Sequence, residues 1–201
     1  MFSADGRWLY FFSNREGGVG GDDLYRVAVR GDGYGAVENL GAGVNSIGDE
    51  WAPTPSADGR HLLFASDGHG GAGDHDLFVA HWNGRAFVAP RALEGVNTDA
   101  DEFDAAWLGG GKAIVFARSN DVEEGPVQLQ LAQCDGKRYT DAAPLELSFN
   151  TDEGTTLGPV LDWNKPGELL VSGSAKSPRA GKSDIYRMKA PAVAGRSGCV
   201  E

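Results

Sequence analysis

Ser56-Ala57-Asp58-Gly59-Arg60, running on into His61-Leu62-Leu63-Phe64-Ala65-Ser66, decides the fold of this chain because it is written more than once. Ser3-Ala4-Asp5-Gly6-Arg7 stands 53 residues earlier and leads into an equally apolar run, Trp8 to Ser13. Asp23-Leu24-Tyr25 returns as Asp76-Leu77-Phe78 at the same shift and, more distantly, as Asp184-Ile185-Tyr186. Val44-Asn45-Ser46 returns as Val96-Asn97-Thr98 and again as Phe149-Asn150-Thr151. Self-similarity at a period of about 50 residues marks stacked supersecondary units. It also serves as an internal alignment. A residue carried by every copy holds the unit together, while a residue peculiar to one copy is the better functional candidate.

The second copy reads most clearly. Trp51 to Ser56 is a short strand whose Pro53 and Pro55 leave it sparsely paired. Ala57-Asp58-Gly59-Arg60 turns, with Gly59 free to take positive φ, and Gly6 does the same in the first copy. His61 to Ser66 is apolar enough to be packed on both faces. A glycine-rich loop then leads to a strand from Asp76, and a turn at Trp82 to Arg85 leads to a fourth strand, Phe87 to Leu93. Antiparallel strands in fours, without a stretch of helical period, predict an all-β chain of β-propeller blades. The approximate units are 1–50, 51–102, 103–153 and 154–189, followed by a Gly/Ala/Ser-containing tail, 190–201, expected to be flexible. Only Phe2 and Ser3 are left for the first strand of the first unit, and Met188 to Val193 for the last strand of the fourth. Part of a larger ring fits these frayed ends better than a closed four-bladed one. Leu9, Phe11, Leu63, Ala65, Ile114 and Phe116 are expected between blades.

The bulk numbers narrow the function classes. Thirty glycines among 201 residues are about twice the usual share of roughly 7% and suit many tight turns. A net charge of −11 argues against a nucleic-acid partner, which needs a basic face. No apolar run approaches the roughly 20 residues of a membrane-spanning helix. Met1 leads directly into Phe2-Ser3-Ala4-Asp5-Gly6, so no secretory leader is read. Cys134 and Cys199 are expected to stay unpaired, since Cys199 lies in the tail.

The run Ser-Ala-Asp-Gly-Arg-x-Leu-x-Phe-x-Ser, then Gly-x-Gly-Gly-x-Asp-Leu-Tyr, then Val-Asn-Ser/Thr-x-x-Asp-Glu resembles the WD40-like (PD40) propeller repeat of the TolB type. The likeness covers residues 2 to 187 and weakens in the fourth copy, where Leu161-Asp162-Trp163-Asn164 replaces Ser-Ala-Asp-Gly. It implies a six-bladed ring, a periplasmic or extracellular place in the bacterial envelope, and contacts with other proteins.

Strand parity gathers the second-to-third loops and the blade-to-blade links on one face. That face collects Asp22, Asp23, Asp49, Glu50, Asp67, Asp74, Asp76, Asp99, Asp101, Glu102, Asp152 and Glu153. The recurring pairs Asp49-Glu50, Asp101-Glu102 and Asp152-Glu153 are the candidate binding residues for a partner with a basic surface. Their recurrence equally suits a capping role in the scaffold. Asp5, Gly6, Asp23, Asp58, Gly59, Asp76 and Asp184 are read as structural repeat positions. Gly17 to Tyr25 matches a calcium-binding nonapeptide, but such nonapeptides bind by stacking on one another. A tight loop whose aspartate accepts backbone bonds is preferred, and calcium is kept as a weak alternative. His69 and His75 share a loop with Asp67, Asp74 and Asp76, without a recognised zinc spacing; no metal or other cofactor is expected. Ser3 to Trp8 mimics a sialidase Asp-box but fails its spacing. No Gly-x-Ser-x-Gly elbow is present. The expectation is a non-catalytic protein-binding scaffold. The alternatives are a propeller glycoside hydrolase or lyase using acidic rim residues, and the regulatory propeller of a peptidase.

Overall fold

Each apolar run becomes a strand, and strands pair only within their own unit. The computed structural model describes residues 1–177 and 181–200. The first sheet is β1 (Trp8–Ser13), β2 (Asp23–Arg30) and β3 (Gly33–Asn39), in that spatial order. The second is β4 (Glu50–Pro55), β5 (His61–Ser66), β6 (Asp76–Trp82) and β7 (Phe87–Ala92). The third is β8 (Asp101–Leu108), β9 (Ala113–Ser119), β10 (Gln128–Cys134) and β11 (Tyr139–Pro144). The fourth is β12 (Leu157–Leu161), β13 (Glu168–Gly173) and β14 (Asp184–Lys189). Neighbours are antiparallel throughout, and no helix occurs among the described residues.

Successive sheets pack through their leading strands, β1 on β4, β4 on β8 and β8 on β12. The reason lies in strands such as β5, which alternates its side chains to opposite faces and is apolar on both. Leu62 and Phe64 join Tyr10, Leu24, Phe78 and Phe87 against the first blade. Leu63 and Ala65 join Trp107, Ile114 and Phe116 against the third. Burying each large side chain contributes about 1.5–3 kcal/mol, so the interfaces between blades are the core. The first sheet has no full strand ahead of β1, only an isolated bridge from Phe2 to Leu9. Leu9 and Phe11 are therefore half-buried, and Tyr10, on the other face, is the buried residue of β1.

Each full inner strand kinks at the same place. The register slips between Trp51 and Thr54, Phe103 and Ala106, and Leu157 and Val160. The residues that open these bulges, Ala52, Asp104 and Gly158, all take positive φ, at 50, 46 and 63°. Bulges strengthen the local twist. Left-handed backbone costs a non-glycine residue about 1–2 kcal/mol.

The tail departs from expectation. Cys134 and Cys199 form a disulfide with their Cα atoms 5.9 Å apart. Residues 190–200 leave β14 and run back along the third blade instead of adding a fourth strand to their own. The Gln133 side chain donates to Ala192 O and accepts from Ala194 N and Gly195 N, and Arg196 N donates to Cys134 O. Cys199 is buried. Small residues permit this course: Gly195 lies against the backbone of Lys112 and Cys134, where a Cβ would overlap it.

Candidate functional site

The links between blades form by one scheme with local substitutions. Asn45 Oδ1 accepts from Leu24 N while its Nδ2 donates to Leu24 O. Asn97 does the same with Leu77, and Asn150 with Leu129. The repeated Val-Asn thus clamps the start of the preceding blade's third strand. Five residues after Asn45 and Asn97 stand Glu50 and Glu102, both fully buried. Glu50 accepts from Ser46 N, Ser46 Oγ and Ser66 Oγ. Glu102 accepts from Thr98 N, Thr98 Oγ1 and the Arg118 guanidinium, the last at 2.7 Å. Burial pushes both carboxyls up, against the pull of these donors. They are not the exposed binding residues that the parity argument made of them. Their charge is spent on holding the link.

The third pair is displaced. Glu50 N donates to Asp22 O, Glu102 N to His75 O, and the corresponding bond in the next link is Thr156 N to Val127 O. Thr156 is therefore the structural equivalent of Glu50 and Glu102, and Asp152 and Glu153 lie earlier, in an exposed turn. Asp49 and Asp101 occupy matching places: Asp49 Oδ1 accepts from Asp22 N, and Asp101 Oδ1 from His75 N. Asp49 is half-buried and Asp101 largely buried.

The aspartates that open the third strands serve their own loops. Asp23 accepts from Val19 N, Gly20 N and Asn39 Nδ2, Asp76 from Ala72 N and Gly73 N, and Asp184 from Gly181 N. Gly18 and Gly71 lie beneath the first two carboxylates, where any Cβ would collide with them. The calcium-like nonapeptide thus directs its Asp23 to backbone amides. Hydrogen bonds to a charged group contribute about 1.5–3 kcal/mol. Asp76→Ala is expected to lower stability by about that amount in chemical denaturation; an unchanged midpoint would remove Asp76 from the scaffold. On the opposite face, Asp5 and Asp58 accept from Ser3 and Ser56 hydroxyls and from the Arg7 and Arg60 amides, with Gly6 and Gly59 at positive φ. The Ser3 hydroxyl, ahead of the Arg7 amide, holds the Asp5 carboxyl down to about 2.

What remains on the acidic face once these groups are assigned is a depression of about 640 Å³. Asp49, Asp67, Asp74, Asp101, Asp121 and Glu123 line it together with Trp51 and His75, and among the described residues no lysine or arginine does. Asp49 and Asp67 are joined through the backbone, Asp49 N donating to Asp67 Oδ1 and Asp67 N to Asp49 O. The Trp51 ring lies 3.8 Å from the His75 ring and nearly parallel to it, while Trp51 Nε1 donates to Asp22 Oδ2. His69, the other histidine of the loop, turns away; its Nε2 meets Val44 O at 2.6 Å. Asp74 belongs to the acidic face expected from the sequence, whereas Asp121 and Glu123 do not figure in that expectation. The third blade's second-to-third loop carries them, and parity alone places that loop here. Asp104 was also missed. It stands on the inner-strand bulge where the other blades have Ala52 and Gly158; it accepts from Gly158 N, and burial pushes its carboxyl up.

No protein-family model matches the chain, and no curated protein matches it. Solved structures do. An endo-arabinase from Bacteroides thetaiotaomicron superposes at a TM-score of 0.57 with 13% identity over 94% of this chain and 72% of that one. A TolB-type protein of Agrobacterium tumefaciens gives 0.55 with 18% identity over 95% of this chain and 57% of that one. The fold is a β-propeller. A puromycin-hydrolysing peptidase of Mycobacterium tuberculosis gives 0.51 with 15% identity, and the matched part is 26% of its length. The chain thus spans little more than half of the TolB-type protein and about a quarter of the peptidase. Its four blades amount to a partial propeller, and likeness at these identities shows the fold alone.

Proposed function

We propose that this propeller segment is a binding scaffold of the bacterial envelope, built of TolB-type repeats, and that it takes a protein partner through the acidic depression. The observation that carries the reading is the lining itself: six carboxylates of three blades with no lysine or arginine beside them among the described residues. Low-dielectric walls focus such a field outward, which suits lysine or arginine side chains of a partner and speeds their encounter. The repeated Glu50 and Glu102 are held inside the links, so the charge offered to a partner is that of Asp49, Asp67, Asp74, Asp121 and Glu123. The disulfide supports an oxidising compartment, where such bonds persist. No helix among the described residues is long and apolar enough to cross a membrane.

The test is charge reversal at positions that the links do not use. A photo-crosslinking residue at Val122 identifies the bound protein, and its association is then followed for wild type and for Asp74→Lys with Glu123→Lys. The variant is expected to keep its circular dichroism and melting midpoint while association slows at least tenfold. Raising salt from about 50 to 200 mM is expected to slow the wild type as well, as the screening length contracts. Unchanged association in the variant overturns the docking face. An enzymatic reading rests on Asp104, a protonatable carboxyl held in strained backbone at the inner bulge. Glycoside cleavage needs two carboxylates across the scissile bond, and turnover of an arabinan or similar polysaccharide that Asp104→Asn abolishes would replace the scaffold reading.

A further inference from the structure

We propose that Asp49, Asp67 and His75 form a binding site for one divalent first-row transition-metal ion. One ligand atom from each lies within 4.8 Å of the other two. Donors bonded to a single ion at about 2.0–2.2 Å stand no farther than about 4.4 Å apart, so a slight rotamer adjustment closes the set. The second observation is His75 itself. Its residue is 7% exposed, and neither Nδ1 nor Nε2 makes a hydrogen bond. The nearest carboxylate oxygen, Asp101 Oδ1, is 3.5 Å from Nδ1 and already accepts from the His75 amide. Buried polar groups nearly always have partners, and a metal bond is the partner that this imidazole lacks.

The surrounding bonds orient the donors. Asp49 Oδ1 is held by Asp22 N and Asp67 Oδ1 by Asp49 N, leaving the remaining lone pairs of both carboxylates for a ligand. Trp51, stacked on the imidazole, fixes the ring plane. Such outer contacts set ligand geometry in metal sites. The donor set chooses the ion: imidazole suits zinc, iron, nickel or copper, and calcium prefers six to eight oxygens. The site is also peculiar to one copy. Where the second blade has Asp67, the first has Asn14 and the third Asn120; where it has His75, they have Asp22 and Val127. A scaffold requirement would recur, and this triad does not.

The proposal goes beyond the partner reading and is read in the free chain, so either can fail alone. Tag-free full-length protein, cleared of metal by a chelator, is titrated with Co²⁺ and followed by visible absorption. One equivalent is expected to give a ligand-field band that Zn²⁺ abolishes and equimolar Ca²⁺ leaves in place. His75→Ala is expected to lose the band, and Asp67→Asn to weaken Co²⁺ binding at least tenfold. His81→Ala keeps it, which separates the triad from the cross-strand pair His61 and His81. Should His75→Ala lose its circular dichroism, the exposed Asp67→Asn decides. Absence of the band in wild type, its survival in both variants, or its loss in His81→Ala overturns the proposal.

Discussion

Replacing Glu102 with alanine is expected to destabilise the chain by about 3–5 kcal/mol, because the fully buried carboxylate is the ion-pair partner of a half-buried Arg118 and the acceptor of two Thr98 donors, each costing about 1–3 kcal/mol when left unpaired. Arg118 would keep its charge beside the link with its carboxylate gone, and Thr98 would lose the acceptor of both its amide and its hydroxyl. At about 2–4 °C per kcal/mol for a chain of this size, the melting midpoint should fall by about 6–20 °C. Asp152→Ala, in the exposed turn, should change stability by less than about 0.5 kcal/mol. The pH dependence has a definite sign. Burial raises the folded carboxyl above the ordinary glutamate value of 4.5, so its proton-linked contribution is full below that value and is lost as pH rises through the folded pKa. The gap between wild type and Glu102→Ala is therefore expected to be wider at pH 5 than at pH 8. A midpoint unchanged by the mutation would return Glu102 to the exposed rim.

Breaking the disulfide is the second large perturbation. Cys134 and Cys199 close a loop of 65 residues, for which loop-closure entropy gives about 4 kcal/mol, with about 2–4 typical of measured bridges. Reduction, or Cys199→Ser, should lower the melting midpoint accordingly and free the tail from the third blade. The tail returns from the fourth blade to the third and so adds a covalent tie between two blades that also meet through their packed faces and through the bonds of Val127 with Gly154 and Thr156 and of Gly158 N with Asp104. Protease cleavage near Ala192 should accelerate in the reduced protein. Thiol titration of unreduced, denatured protein should find no free sulfhydryl; two would contradict the bridge.

The blades were legible because repetition and strand period report the same thing. His61 to Ser66 appears as β5 with its bounds unchanged, since an apolar strand packed on both faces looks alike in sequence and in space. Two readings failed for identifiable reasons. Asp152-Glu153 is matched by its letters, whereas the buried place is set by the amide bond back to the preceding blade. Glu50 and Glu102 follow Asn45 and Asn97 by five residues, while Glu153 follows Asn150 by only three and lies in a turn; Thr156, six residues after Asn150, donates its amide to Val127 O and takes the buried place. The tail's composition says nothing of the carbonyls and amides it meets, and its course depends on Gln133 and Cys134, which are distant in sequence. The candidate site was half visible. Parity put Asp49, Asp67 and His75 on one face, but their convergence depends on how the loop from Asp67 to His75 folds back and on Trp51 stacking beneath it.

The acidic residues divide into those that build links and those that serve ligands, and one paired measurement tests that division. Glu50→Ala with Glu102→Ala is set beside Asp74→Lys with Glu123→Lys, and each is measured for melting midpoint and for association with the crosslinked partner. The division predicts a large fall in the midpoint for the first pair, and an unchanged midpoint with at least tenfold slower association for the second. A first pair that melts like wild type yet loses the partner would contradict it.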